Sequence, residues 1–334
     1  MEHFAPHQSA AFEGYYSKFD LPSGAHIALI ICSVPNATSR PPYMVSFTYY
    51  PESGSPIFQC HHWVSDIQRI TNGPGHAFEL RVPELGSMIC DADGKTSYNL
   101  RCAEWSLDAV TSGREPWSST KRTPEGWLIK LPLPLHWHVQ SLASPCVYKF
   151  SIKSVNLPGT ETYGRATIHQ EKNWASSFPS SHMWIQARAD NRGICLAGGK
   201  IMGMTAYMLG YRSPDLNLDF VPPLALSVFG VFSPFMSVDV DWANRAFTIS
   251  VSGLWRKIVV RAKAPKEEGW FGLGCPFPEG HRENFVTESF LAVVEVEVWA
   301  RGWWGWNAVR TERFENASLE FGGGYFPGRG EKNE

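Results

Sequence analysis

Charge is scarce in this chain, and so is room for long helices. Asp, Glu, Lys and Arg make up 19% of the 334 residues and leave a formal net charge of −2. A balance that close to neutral offers no electrostatic footprint for nucleic acid. Gly (29) and Pro (24) recur along the whole length, which suits strands and turns and leaves only short helical pieces, for example around Val64 to Ile70. No apolar run is long enough to span a bilayer. The most apolar stretch, Val221 to Phe235, is interrupted by Pro222, Pro223, Gly230 and Pro234. The start, Met1-Glu2-His3-Phe4-Ala5-Pro6-His7, lacks the basic-then-apolar order of a secretory signal. The seven cysteines are odd in number and form no C-x-x-C pair, so zinc-finger spacing is missing and a reducing, cytoplasmic setting is expected. There is no G-x-S-x-G nucleophile elbow and no G-x-G-x-x-G after a strand. Gly322-Gly323-Gly324 lacks the Lys and the helix of a phosphate loop and reads as tightly packed backbone at a barrel corner.

What the chain does have is aromatic side chains and strand periodicity. It carries 14 Trp and 20 Phe, and a Trp-rich, charge-poor protein buries its indoles or lines a cleft with them. Val294, Val296 and Val298 alternate with Glu295 and Glu297, and Phe247, Ile249 and Val251 alternate with Thr248 and Ser250. That is the period of a half-buried strand. His26–Ser33 and Tyr43–Tyr50 read as strands, and Asp91-Ala92-Asp93-Gly94 and Asn191-Arg192-Gly193 as hairpin turns. The length exceeds one ordinary core, so two domains are expected, divided in the turn-rich region near 155–170: residues 1–165 and 166–334. The expected fold class is all-β, with two antiparallel barrel or sandwich domains packed around an aromatic-walled interdomain pocket.

Three segments have the residues for chemistry. In Glu171-Lys172-Asn173-Trp174 and the following His182-Met183-Trp184-Ile185-Gln186, charged, polar and aromatic residues crowd together. On an extended chain His182, Trp184 and Gln186 share a face, so an indole wall with an amide beside it can hold a flat ring. Glu171 and Lys172 read equally as part of an ion-pair network. His136-Trp137-His138 places two imidazoles on one strand face, but no third ligand stands out, so no metal is expected. One of these His fits a proton acceptor, or a satisfied core residue. Glu13, set in Phe12-Glu13-Gly14-Tyr15-Tyr16, must pair or hold a proton if it is buried.

On these residues the chain resembles the tocopherol cyclase family. The likeness runs through Phe12-Glu13-Gly14-Tyr15-Tyr16, Gly126-Trp127, Pro134-Leu135-His136-Trp137, Glu171-Lys172-Asn173-Trp174, Phe178-Pro179, Trp184-Ile185-Gln186, Val298-Trp299 and Leu319-Glu320-Phe321-Gly322-Gly323-Gly324, in that order. It implies two lipocalin-like β domains and a wider group that includes carotenoid hydratases and fungal ring-closing enzymes, some of them pericyclases. Tyr15, Ala175 and His182 stand where the family has Trp, Gly and Trp, which implies a different and more compact substrate. The function expected is a cofactor-independent cyclase that closes an oxygen heterocycle by intramolecular hydroalkoxylation of a prenylated phenol. Glu171 or Glu13 would act as acid and His136 or His138 as base. Tyr15, Trp137, Lys172, Asn173, Trp174, His182, Trp184 and Gln186 would bind an apolar aromatic substrate. A pericyclase, an isoprenoid hydratase and a non-catalytic lipid or pigment carrier are the alternatives. No nucleic-acid partner and no stable membrane insertion are expected.

Overall fold

The computed structural model describes residues 3–72, 77–118, 123–131, 133, 135–176, 178–228 and 233–326. Pro134, Ser177 and Gly230 lie outside the described residues. The chain divides into two compact units, Met1–Phe178 with Pro276–Arg282, and Pro179–Cys275 with Glu283–Glu334.

The first unit holds β1 (Phe12–Asp20), β2 (His26–Ser33), β3 (Tyr43–Tyr50), β4 (Phe58–Trp63), β5 (Gln68–Thr71), β6 (Phe78–Val82), β7 (Gly86–Cys90), β8 (Thr96–Arg101), β9 (Trp105–Thr111), β10 (Leu135–Ile152) and β11 (Tyr163–Ala175). They form one antiparallel sheet in the order β4-β3-β2-β1-β11-β10-β9-β8-β7-β6-β5. The first and last strands therefore meet in the middle, and β1 pairs β11 without a break from Phe12↔Ala175 to Asp20↔Thr167. Residues 276–282 join this unit through main-chain bonds: the Ser39 and Arg40 N–H groups donate to the Glu279 carbonyl at 3.1 and 2.7 Å.

The second unit holds β12 (Ser181–Ala189), β13 (Arg192–Ile201), β14 (Met204–Arg212), β15 (Asn217–Phe220), β16 (Leu226–Val228), β17 (Met236–Asp241), β18 (Ala246–Ser252), β19 (Arg256–Lys263), β20 (Phe271–Phe277), β21 (Gly280–Gly302) and β22 (Gly305–Gly323). Their order is β15-β14-β13-β12-β22-β21-β19-β18-β17, with β16 on β14 and β20 on β21.

The alternating pattern does what it predicts. Ile249, Val260 and Val296 stand in register across β18, β19 and β21, all fully buried. The opposite face carries charge: Arg261 pairs Glu297 at 2.6 Å and Arg313 pairs Glu295 at 2.7 Å. Strands β2 and β3 have the expected limits and the turn at 91–94 closes a hairpin, whereas the second hairpin turns at 190–191, one residue ahead of the expected 191–193, because Arg192 and Gly193 already pair with Ala189 and Arg188. The glycines of two motifs are there for space. A Cβ on Gly14 would sit 2.9 Å from Asn173 Oδ1, and one on Gly323, whose φ is +57°, would sit 2.1 Å from the Ser180 carbonyl.

Two expectations differ from the fold. Val64–Ile70 is not helical: Ile67 enters the core, and 68–71 form β5 against β6, because pairing with a neighbouring strand outweighs local propensity. The expected seam at 165/166 falls inside β11, whose pairing with β1 and β10 holds it in the first unit, and the compact units change over at Phe178/Pro179.

Because Phe247 fills the second core, Phe247→Ala should cost roughly 3–5 kcal/mol in chemical denaturation. Glu295→Gln, which loses only a half-exposed ion pair, should cost less than about 1 kcal/mol.

Candidate functional site

Cross-strand partners in an antiparallel pair project to the same side of the sheet. Glu13↔Trp174, Tyr15↔Lys172, Ser17↔Gln170 and Phe19↔Ile168 therefore share one face of β1 and β11. On β10, His136↔Trp174 and His138↔Lys172 join them. Tyr15, Phe19 and Ile168 belong to the first unit's core, so this is its inner face. The face grades from charged and aromatic at Glu13, Lys172 and Trp174, through a hydroxyl–amide layer, to pure hydrocarbon at Phe19 and Ile168. In the middle layer Gln170 Nε2 donates to the Tyr98 hydroxyl (2.8 Å) and to Thr96 Oγ1 (3.0 Å), and Ser17 bonds Tyr98 at 2.8 Å.

Glu13 and Lys172 form a fully buried ion pair at 2.6 Å. Segment 3–10 completes it. The His7 N–H donates to Glu13 at 2.7 Å, and Lys172 donates to the carbonyls of Ala5 and Phe4 and, at 2.8 Å, to His7 Nδ1. Arg69 lies 3.5 Å from the other carboxylate oxygen. Burial alone would raise the Glu13 pKa, but the hydrogen bonds from His7 and the Lys172 charge outweigh it and hold the carboxyl down to about 2. Burial brings Lys172 down to about 8, against the pull of Glu13. Burial, and then the Glu13 charge, push the Tyr15 hydroxyl well up. Of the two alternatives open for a buried Glu13, pairing and proton-holding, the structure takes pairing. The Lys172 ammonium lies over the rings of Tyr15 (4.9 Å) and Trp174 (5.1 Å), so these aromatic faces already hold a cation.

Trp174 is also stacked by three imidazoles, His7 at 4.1 Å, His136 at 5.0 Å and His3 at 6.2 Å between ring centroids. His136 Nδ1 is bonded to Glu125 at 2.8 Å, and the other Glu125 oxygen accepts the Trp137 N–H at 2.5 Å. Glu125 is buried, and desolvation raises its pKa despite the opposing pull of His136 and the Trp137 N–H. His138 is buried as well. Desolvation holds it well below the usual histidine range, against the hydrogen bond to Gln140. In the neutral form that donates Nε2–H to Gln140 Oε1 (3.4 Å), His138 Nδ1 presents a lone pair. That atom, Gln140 Nε2 and Gln170 Oε1 are buried and have no protein partner among the described residues. Leaving such atoms unpaired costs about 1–3 kcal/mol each, so rows of them mark places where something else completes the bonding.

The other expected site residues stand elsewhere. Trp137 and Asn173, mutual partners in the ladder, face away from the inner core, and Trp137 packs edge-on against Trp117 at 5.7 Å. Glu171 is on that same outer face, bonded to His169 at 3.1 Å. His182, Trp184 and Gln186 alternate with the core residues Met183, Ile185 and Ala187, so they share the outer face of β12, where His182 pairs Glu320 at 2.8 Å. The four aromatics expected to form one wall are thus divided: Tyr15 and Trp174 point into the first core, Trp137 points away from it, and Trp184 lies on the outer face of a strand in the second unit.

Glu125, His7, Arg69 and Gln140 carry no periodic signal of their own. Only the neighbouring Gly126-Trp127 motif hints at Glu125. In the same unit Cys60, His62 and Glu104 bring metal-ligand atoms within 4.8 Å of one another, although the Trp105 indole already donates to His62 Nε2 at 3.0 Å. A groove of about 460 Å³ in the second unit is lined by Thr205, Ser227, Phe235, Met236 and neighbouring Ser and Val side chains. It has no acid–base group, so proton chemistry does not belong there.

No protein-family model and no curated protein matches the sequence. Solved structures do match the fold. Kievitone hydratase from Nectria haematococca superposes with a TM-score of 0.57 at 8% identity, covering 97% of this chain and 92% of that one. A Nitrosomonas europaea protein provisionally named AttH gives 0.55 at 9% identity, covering 96% and 95%. The two-domain lipocalin-like fold class holds. At 8–9% identity the likeness is one of fold alone, and it does not single out the tocopherol cyclases.

The ion pair sets an acid limb. The Glu13 pKa drops from 4.5 in the unfolded chain to about 2 in the folded one, so the unfolded chain binds the proton first as pH falls. Stability should fall between those two values in urea titrations. Glu13→Gln should flatten that slope and, by leaving Lys172 buried without its anion, cost roughly 3–5 kcal/mol at neutral pH.

Proposed function

We propose that the protein is a cofactor-independent enzyme of the cyclase–hydratase kind that closes an oxygen heterocycle by intramolecular hydroalkoxylation of a prenylated phenol. The observation that carries this reading is the inner face of β10. The hydrogen-bonded pair Glu125–His136 lies against Trp174, and further along the strand His138 Nδ1 and Gln140 Nε2 are buried without a partner among the described residues.

In this reading the phenol sits at His138 and Gln140. Its O–H donates to the His138 Nδ1 lone pair, and its oxygen accepts from Gln140 Nε2. His136, held at Nδ1 by Glu125, delivers a proton from Nε2 to the less substituted alkene carbon. The phenol oxygen bonds to the tertiary cation that results, and His138 takes the phenolic proton. One proton is added and one is removed, so the product is an isomer of the substrate and no redox partner is needed. Holding the prenyl arm over the ring is worth ~7–11 kcal/mol where the geometry is favourable. Excluding water keeps the cation from becoming an alcohol. Tyr15 and Lys172 frame the site from β1 and β11. Segment 3–10, which now stacks His7 on Trp174, must yield for the substrate to enter.

A second reading is a hydratase, in which water and not the phenol oxygen traps the cation. Two observations favour it: the hydroxyl–amide layer of Ser17, Tyr98, Gln170 and Thr96 next to the site, and the fold shared with a hydratase. Oxygen-18 from labelled water would enter the product of a hydratase and not that of the cyclase.

With a prenylated phenol that turns over, Glu125→Gln and His136→Asn should each lower kcat by roughly 10²–10⁴-fold. Glu171→Gln, on the opposite face, should leave kcat within about twofold. Wild-type turnover in both the Glu125 and His136 variants would remove this pair from the chemistry.

A further inference from the structure

The hairpin joining β21 to β22 turns at Gly302-Trp303-Trp304-Gly305. Hairpin corners favour Gly, Asn and Asp, which tolerate the backbone and solvate well. Two indoles at a corner serve no turn chemistry, and they pack on nothing: Trp303 and Trp304 are 101% and 102% exposed. The neighbouring β18–β19 turn repeats the pattern. Leu254 and Trp255 are each 72% exposed, and the Arg301 N–H donates to the Trp255 carbonyl at 3.0 Å, tying the two tips side by side.

Basic residues flank the tips along the chain, and the nearest acidic ones there, Glu297 and Glu312, lie further down the strands. Residues 253–258 and 298–311 contain Arg256, Lys257, Arg301 and Arg310 and no Asp or Glu. Arg310 pairs with Asp215, whereas Arg256 and Arg301 are exposed beside the indoles. Exposed apolar patches of this kind mark interaction surfaces. The shape selects among partners. Side chains that stand clear of the protein on a convex tip need a surface that yields around them. Trp settles at the headgroup level of a bilayer, and Arg beside it meets anionic lipid phosphates. No helix among the described residues is long and apolar enough to cross a membrane, so these tips would attach the protein by shallow immersion.

We propose that the paired tips of the β18–β19 and β21–β22 hairpins form a peripheral membrane-binding site for anionic phospholipid surfaces, with Trp255, Trp303 and Trp304 immersed and Arg256 and Arg301 at the headgroups. The site lies in the second unit, on elements other than β10, and stands independently of the reaction proposed above.

The test is sedimentation of the full chain with phosphatidylcholine vesicles, with and without phosphatidylserine, alongside fluorescence quenching by lipids brominated in the acyl chain. Wild-type protein should partition onto the phosphatidylserine vesicles and be quenched. The Trp303→Ser, Trp304→Ser double variant should partition at least roughly tenfold more weakly. Arg256→Gln with Arg301→Gln should lose only the phosphatidylserine-dependent part, the part that high salt also removes. Wild-type protein that stays in solution and is not quenched, or a double Trp variant that binds like wild type, would overturn the proposal. So would a wild-type dimer that becomes monomeric on Trp substitution without vesicles, since that would give the patch to a second copy of the chain.

Discussion

Removing a carboxylate and an ammonium from water costs several kcal/mol per ion, and the charges must be held in good geometry to recover it. Glu13 and Lys172 meet that demand at the place where the first and last strands of the first sheet join. Their residues stand on β1 and β11, and apart from Arg69 on β5 the further donors and acceptors come from the chain ahead of β1: the His7 N–H, the Ala5 and Phe4 carbonyls and the His7 ring. One interaction thereby fixes the meeting of β1 with β11, seats segment 3–10 in the core with Phe4 against Tyr15 and Phe78, and decides which groups nearby can carry protons. With Glu13 committed as a carboxylate, the buried acid whose pKa burial raises is Glu125, whose partner is an imidazole and not a permanent cation.

This division gives the inner face its chemical order. Fixed charge sits at Glu13 and Lys172, the Glu125–His136 hydrogen bond beside Trp174, neutral hydrogen-bonding atoms at His138, Gln140 and Gln170, and hydrocarbon below. A substrate with an aromatic hydroxyl and an apolar arm matches the polar-to-apolar sequence. The exposed tryptophans of the second unit belong to a separate proposal, attachment to a lipid surface, and have no part in this ordering.

Strand periodicity was legible in the sequence because each half-buried strand alternates strictly. The Val294–Val298 and Phe247–Val251 segments read directly in this way, whereas β2 and β3, buried on both faces, read as short runs bounded by turn residues. Segment 64–70 did not, since β5 exists only by pairing with β6. The side assignments within the motifs were half legible. Alternation correctly grouped His182, Trp184 and Gln186, and likewise His136 with His138. It could not say which face of β10 or β12 meets a core, because both faces carry bulky residues. Glu125 was hidden for another reason: it lies beside a short 3₁₀ turn, Gly126–Lys130, reaches β10 from outside any strand pattern, and is recognisable only by its contact with His136. The partners of Glu13 were hidden likewise, since His7 and Arg69 stand 6 and 56 residues away along the chain.

The central claim is that the first unit's core moves a proton onto an alkene. Its most direct test is turnover of a prenylated phenol in deuterated water, with the product's label located by mass spectrometry and NMR. Deuterium at the alkene-derived carbon in a single enantiomer of the cyclic product is the predicted result. A cyclic product formed at the same rate with no deuterium at that carbon would contradict it.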